Sequence, residues 1–316
     1  MRTAQKRMEI NNMKSYENNY ESIRSAFIME DRDNHEFNPK SETFIDDALE
    51  YALRKSFRDF NFRTLTAKKS DATIEFVSEF DKWVAKQHEA KRMAKNKAEK
   101  DAVVDGRTDY LMANLKKANF YQCFVDYFNS ENSPENQEEF NKWHHETCKL
   151  FLDTLKDDYE NLCYGKAQKI INMMFKHLYC LNGAEEYDKQ GYFQYCHLTL
   201  DSFTLEWFHR NVVKKEKVGI WSNLRYDESK TEYENYTYYV YKIKEYYDNN
   251  KIENGLTPFQ FEFYMWPDMQ IQLAAEAFYF SMKDNMSSGE RNDFRSKKTM
   301  EKIKDIQEYI ENFLKP

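Results

Sequence analysis

The amino-acid sequence predicts an all-α, multi-helix protein, and three observations support this fold class. The 316-residue chain contains only 7 Gly and 5 Pro, too few for the turns that an all-β fold needs roughly every 8–12 residues. Apolar residues recur along much of the chain at steps of three and four, which is the spacing of one helix face. Aromatic residues make up 16% of the chain, so we expect a core built largely from rings.

The N-terminal part is predicted to be a helical lobe over residues 1–105. Residues 1–43 are polar and indicate an arm with loops. One amphipathic helix is predicted over residues 45–60 and a second over residues 74–84, both from their apolar spacing. The Lys- and Ala-rich segment 86–100 is either a solvated helix or linker, or a phosphate-binding arm. A main helical domain is predicted to follow over residues 106–316.

The first half of the main domain is predicted to contain three helices. One helix over residues 109–129 ends in aromatic residues, and a loop around Pro134 follows it. The apolar spacing between Phe140 and Tyr159 predicts the second helix. The third is GKAQKIINMMFKHLYC, residues 165–180.

The second half of the main domain is also predicted to be helical. The tyrosine tract 233–247 has strand propensity, but its 3-4-3-4 spacing favours a helix. Thr257 and Gln260 match a capping box, with Pro258 at the first helical position. Pro267 is expected to end this short helix. Isoleucines at helical spacing predict a last helix near the C-terminus.

Charge and cysteine content limit the possible classes of protein. The net charge is −7 and the pI is about 5.7, so a nucleic acid would have to bind a local basic face on an acidic body. The sequence shows neither a signal peptide nor an apolar run near the ~18 residues of a membrane span. The odd number of cysteines, five, indicates reduced thiols. We therefore expect a cytoplasmic protein without membrane contact.

The helix over residues 165–180 places lysines opposite its apolar face. Ile170, Met174 and their helical neighbours share about a third of the circumference at roughly 100° per residue. Lys166, Lys169 and Lys176 lie on the other side. Two interpretations stay open at this point, a core helix with a solvated outer face and a basic docking surface.

The segment HLTLDSFTLEWFHR, residues 197–210, contains a single aspartate before an apolar helical pattern. Asp201 or Ser202 is placed to cap that helix, since a side-chain oxygen there accepts bonds from free backbone N–H groups. Capping alone accounts for Asp201. A carboxylate at a helix N-terminus is also favoured by the helix dipole, which suits it to stabilise a developing positive charge.

These two segments resemble the core of helix-hairpin-helix DNA glycosylases of the 8-oxoguanine type. Tyr164-Gly165-Lys166-Ala167-Gln168-Lys169 is similar to the hairpin and its Lys-containing helix, and Leu200-Asp201-Ser202 to the step that carries the catalytic aspartate. The likeness covers about residues 160–212. One hairpin glycine is present where the family has two, and no proline precedes Asp201. The AQK…K.LY…D.S pattern also resembles that of uncharacterised bacterial proteins.

The resemblance implies a base-excision reaction without a cofactor. A modified base would be flipped out of duplex DNA into a ring-lined pocket, and Asp201 would stabilise the oxocarbenium-like sugar as the base departs. Lys169 or Lys166 would attack the sugar carbon as an amine. The phosphate-binding residues would be Lys176, Arg210, Lys214 and Lys215.

Zinc binding and protein binding are the two other functions to consider for this sequence. Six residues are of types that zinc uses but lack paired C-x-x-C spacing, so we expect no metal site. They are His144, His145, Cys148, Cys180, Cys196 and His197. The alternative function is a non-catalytic helical module that binds a protein partner, as in phage–host defence or counter-defence, with the lysine face as its docking surface.

Overall fold

The described part of the computed structural model is helical. Its two backbone bridges are isolated ones, Glu36 with Asn182 and Arg225 with Asn235, and they form no strand within that part. The all-α fold class is therefore confirmed. The structure describes residues 20–27, 31–60, 65, 97–213, 217–229, 231–250, 255–283 and 286–313.

Helices are numbered in chain order. They are α1 (residues 20–26), α2 (Glu50–Asp59), α3 (Lys97–Lys117), α4 (Phe120–Asn129), α5 (Gln137–Leu155), α6 (Tyr164–Tyr179), α7 (Ala184–Lys189), α8 (Ser202–Phe208), α9 (Tyr236–Asn250), α10 (Pro258–Met282), α11 (Ser288–Ser296) and α12 (Thr299–Phe313). A π-helical turn, Ile45–Leu49, leads into α2, and another, His209–Val213, continues α8. None of these described helices has the length and apolar character that crossing a bilayer requires.

Helix α6 is the centre of the fold. Every one of its residues is buried, and α2 and α5 pack against it. Both interpretations of its lysines, a solvated outer face and a basic docking surface, are wrong, because Lys166, Lys169 and Lys176 are only 2%, 8% and 2% exposed. A helix that carries charges on one side can be enclosed when neighbouring elements supply polar partners for those charges.

Aromatic rings fill the core, as the composition predicts. Phe37 packs edge-on against Phe44 and Phe128, with ring centroids 5.5 and 4.9 Å apart. Phe57 of α2 lies against Phe151 of α5. The described residues before position 105 therefore share the core of the later ones. The predicted helix over residues 74–84 and the greater part of the segment 86–100 lie outside the described residues.

Several sequence-predicted elements are confirmed and two are not. The tyrosine tract forms α9, and α10 begins with the predicted capping box of Thr257 and Gln260. Pro267 does not end α10, which continues unbroken to Met282. The region predicted as one helix over 109–129 is two, because Asn119 takes a left-handed conformation with φ 57°, which asparagine tolerates better than most residues.

Candidate functional site

The site is built on the extended segment 197–201, which connects α7 to α8. Three buried side chains hold its backbone. Gln168 donates from Nε2 to the Leu200 carbonyl at 2.8 Å, and Asn172 donates from Nδ2 to the Leu198 carbonyl at 3.2 Å. The Thr199 N–H donates to Glu262 Oε2 at 2.6 Å. The segment is thereby fixed between α6 and α10, and Asp201 follows at its end.

Asp201 caps α8, as the sequence predicts. Its Oδ1 accepts from the backbone N–H groups of Phe203 and Thr204 at 2.9 and 3.0 Å. Its Oδ2 accepts from Trp266 Nε1 at 2.9 Å. These three bonds fix the orientation of the carboxylate, and Oδ2 is the oxygen that the backbone does not use.

Lys169 lies next to that second oxygen. Its Nζ is 3.9 Å from Asp201 Oδ2, and both side chains are 10% exposed. The same ammonium lies over the ring of Trp221, 4.6 Å from its centroid, in a cation–π arrangement. The pair therefore sits between two tryptophans, Trp221 on the lysine side and Trp266 on the aspartate side. About nine tenths of each of the two side chains is buried.

Lys166, the other predicted nucleophile, is engaged elsewhere. Its Nζ donates to the carbonyls of Asn161 and Ser222 at 2.6 and 2.8 Å. Gly165 before it donates its N–H to the Leu224 carbonyl at 2.8 Å. The residues that resemble a hairpin thus anchor the turn around Ser222, and the N–H of Gly165 is used inside the protein.

Two of the predicted phosphate-binding residues form internal ion pairs. Lys176 Nζ lies 2.9 Å from Glu262 Oε1, with side-chain exposures of 3% and 0%. Arg210 donates to Glu206 at 2.7 Å and to both oxygens of Glu276 at 2.6 and 3.0 Å. In this arrangement neither cation is presented to a phosphate. Lys214 and Lys215 lie outside the described residues.

Sequence reasoning missed the residues that hold Asp201 in place. Gln168 and Asn172 are polar, lie one turn apart and fall between the apolar arc and the lysine arc of the helical wheel, and that spacing was the available signal. Asn172 Oδ1 also lies 2.9 Å from His144 Nε2, and Asn172 Nδ2 donates to the Tyr236 hydroxyl at 3.1 Å. Glu262, 86 residues from its partner Lys176, gave no signal in the sequence.

The histidines and cysteines weighed as zinc ligands have other surroundings. Among the described residues, no group of three or more His, Cys, Asp or Glu is placed to hold a metal ion. The ring nitrogens of His197 lie 2.8 Å from the Tyr236 hydroxyl and 2.7 Å from Asn141 Oδ1. Burial lowers the pKa of His144 to about 3, so this ring is neutral at pH 7.

Comparisons with known proteins give no family. No protein-family model, no curated protein and no solved structure matches the chain. The resemblance to helix-hairpin-helix glycosylases therefore rests on the residues alone. Of those residues, the structure brings Asp201 and Lys169 together and places Lys166 in a separate set of hydrogen bonds.

Proposed function

We propose that the protein is a base-excision enzyme of the DNA glycosylase type, with Asp201 and Lys169 at its reaction centre. The observation that carries this proposal is the 3.9 Å approach of Lys169 Nζ to Asp201 Oδ2. A carboxylate and an amine side by side are the two groups that such a reaction needs. The tryptophans on either side provide apolar ring surface next to them.

The proposed reaction breaks the bond between the base and sugar C1′. The bonding electron pair leaves with the base, which takes up a proton, and positive charge develops on the sugar. Asp201 stabilises this charge electrostatically. Water then adds to C1′ and loses a proton, which leaves an abasic site. Alternatively, the Lys169 amine in its neutral form adds to C1′ and loses a proton, and the C1′–O4′ bond opens, with O4′ taking up a proton, to give an imine between Lys169 and the sugar. Elimination of the 3′-phosphate from this imine cleaves the strand.

The geometry favours Lys169 over Lys166 for the proposed amine role. The two carbonyls that accept from Lys166 place its Nζ in the Ser222 turn. Lys169 has one carboxylate oxygen and one ring as its neighbours.

The test measures base release from duplex oligonucleotides that carry a panel of modified bases. Asp201→Asn should slow release about 10²–10³-fold, the usual effect of losing one electrostatic group at a transition state. Asparagine still caps a helix, so the start of α8 should be kept, although its amide nitrogen cannot accept from Trp266 Nε1 as Asp201 Oδ2 does. Lys169→Gln should abolish borohydride trapping of a covalent intermediate. Lys142→Gln, at an exposed lysine of α5, is the control and should behave like the parent protein.

Unchanged base release by Asp201→Asn would contradict the proposal. So would a covalent adduct that survives Lys169→Gln. Equal circular dichroism spectra and equal unfolding midpoints would show that a loss of activity comes from the chemistry and not from misfolding.

A second candidate is the protein-interaction module, and one observation favours it. Ile271 and Phe278 are 67% and 48% exposed and lie seven residues apart on α10, so they share one face of that helix. Exposed apolar side chains at this spacing are typical of helix-binding surfaces. A parent protein that releases no base and shifts no duplex DNA at low salt would favour this candidate over the enzyme.

A further inference from the structure

The second half of α10 presents an uncharged row of residues to solvent. Ile271, Ala274, Phe278 and Ser281 recur at steps of three, four and three residues, and all four are exposed. The two large side chains are far from buried, since Ile271 is 67% and Phe278 is 48% exposed. We call these four residues the α10 seam. Their spacing is that of a helix which pairs with a second helix.

The opposite face of this half of α10 is fixed to the rest of the protein. Charged residues make up 32% of the chain, but the one charged residue between the seam positions, Glu276, is buried. Glu276 accepts from Arg210 at 2.6 Å and lies 3.1 Å from Lys302 Nζ. Tyr279 stacks on Phe294 of α11, with ring centroids 4.4 Å apart. These contacts set the rotation of α10 about its axis, so the seam faces outward in the folded protein.

The seam alternates large and small side chains, which makes it complementary to itself. When two copies of α10 lie antiparallel about a twofold axis near Glu276, Ile271 of one copy meets Ser281 of the other, and Phe278 meets Ala274. Every layer then pairs one large and one small side chain, as close packing requires. A parallel pair would instead place Phe278 against Phe278 and Ala274 against Ala274.

Charges at the two ends of the seam favour the same orientation. Asp268 precedes the seam and Lys283 follows it, and both residues are exposed. An antiparallel pair brings the Asp268 end of one copy to the Lys283 end of the other, whereas a parallel pair brings like charges together. Exposed charges of this kind add little affinity, but they select between orientations.

We infer that the α10 seam joins two copies of this chain in an antiparallel, twofold-symmetric homodimer. The inference is independent of the base-excision proposal, and it assigns the exposed face of α10 to a second copy and not to a foreign partner. A twofold interface requires a self-complementary patch, because each copy supplies both sides of every contact. An interface of four layers is small, so we expect a dissociation constant on the order of 10–100 μM.

Sedimentation equilibrium of the full chain measures the association. The average mass should rise from 38.3 kDa toward twice that value as the concentration passes through the dissociation constant. Phe278→Glu should abolish the rise, because it places an unpaired carboxylate against Ala274 of the other copy. Ile303→Glu, at a 42% exposed isoleucine of α12, is the matched control and should associate like the parent protein. Both substitutions lie at the surface, so the unfolding midpoints should stay close to that of the parent protein.

Exchanging the large and small side chains tests the antiparallel register. Ala274→Phe places two rings in each of the two central layers, and Phe278→Ala leaves two small side chains there. Each variant alone should therefore associate roughly tenfold more weakly than the parent protein, from overpacking in the first case and from a void in the second. A mixture of the two variants should form a heterodimer about as tight as the parent homodimer, since each central layer again holds one ring and one alanine.

Three outcomes would overturn the homodimer. They are an average mass that stays at 38.3 kDa at every concentration, a dimer that Phe278→Glu leaves intact, and two weakened variants that do not associate when mixed. A monomer whose α10 seam binds a different protein would return this face to the foreign partner. Base release is measured separately, and neither its presence nor its absence changes these outcomes.

Discussion

The role of Gly165 depends on the backbone of the Trp221 turn, which lies against it in the folded protein. It occupies the first turn of α6, where a helix would ordinarily gain stability from alanine. The Trp221 carbonyl oxygen lies where its side chain would be. The resemblance assigns this glycine to a hairpin before a Lys-containing helix, whereas in the structure it allows close backbone approach.

Gly165→Ala is expected to destabilise the protein by about 1–3 kcal/mol, because the new methyl group must displace backbone atoms of the Trp221 turn. Gly106→Ala is the matched control, since it lies in α3 with nothing within 4 Å of an added Cβ. It should stabilise the protein by about 0.5–1 kcal/mol. Urea denaturation measures both, and a neutral or stabilising Gly165→Ala would contradict the packing described for this turn.

The lysines of α6 show that helical spacing predicts where a residue lies on its helix but not which distant residues it contacts. Helical spacing places Lys166, Lys169 and Lys176 correctly on a common side of α6. It cannot show that Lys176 meets Glu262, 86 residues away, or that Lys166 donates to the carbonyl of Ser222, 56 residues away. Burial of a lysine depends on such distant partners, so the spacing alone favoured a solvated face.

At the scale of elements, α10 shows how packing overrides a local preference. Pro267 lacks the N–H that would bond the Phe263 carbonyl, and this normally kinks or ends a helix. Phe263, Met265 and Met269 are all buried on the two sides of the proline. Their burial stabilises a continuous helix, and Trp266 within it reaches Asp201.

Pro267→Ala is therefore expected to raise stability, by up to about 3 kcal/mol, because alanine restores the missing hydrogen bond. Pro258→Ala, at the first position of the same helix, should change stability by less than about 1 kcal/mol in the opposite direction, since an N–H there has no intrahelical partner. Thermal unfolding followed by circular dichroism compares the two variants. A Pro267→Ala variant that melts below the parent protein would show that the proline is needed for the shape of α10.

Across the whole molecule, the sequence predicts the elements well and their association poorly. Periodicity located α2, α5, α6 and α9, and turn chemistry located the starts of α8 and α10. The sequence also predicts part of the candidate site, because Asp201 is recognisable as a helix cap. Its supporting residues come from α6 and α10, and no local pattern indicates that these helices enclose the same segment.

The burial of three histidines predicts how the free energy of unfolding depends on pH. Burial lowers the pKa of His144 to about 3, and it also lowers the pKa values of His177 and His197. Below the ordinary histidine value of about 6.5, the unfolded chain binds protons that the folded protein does not bind. Their contribution to stability is therefore complete above about pH 6.5 and is lost as the pH falls.

For His144 the expected loss is about 1.4 kcal/mol per pH unit between pH 6.5 and its folded pKa of about 3, and the lowered pKa values of His177 and His197 add to the loss in the same direction. Glu262 opposes this loss of stability, because burial raises the pKa of its carboxyl. However, this is one carboxyl against three imidazoles. Burial raises the pKa of the Glu276 carboxyl, but its bonds to Arg210 outweigh burial and the net pKa is lowered. This carboxyl therefore adds to the loss of stability only below about pH 4.5.

Urea denaturation at pH 7.5 and 5.0 should show a clear decrease in the free energy of unfolding. His144→Gln, which keeps an amide donor for Asn172, should weaken that decrease, and an unchanged slope in this variant would mean that His144 is protonated in the folded protein.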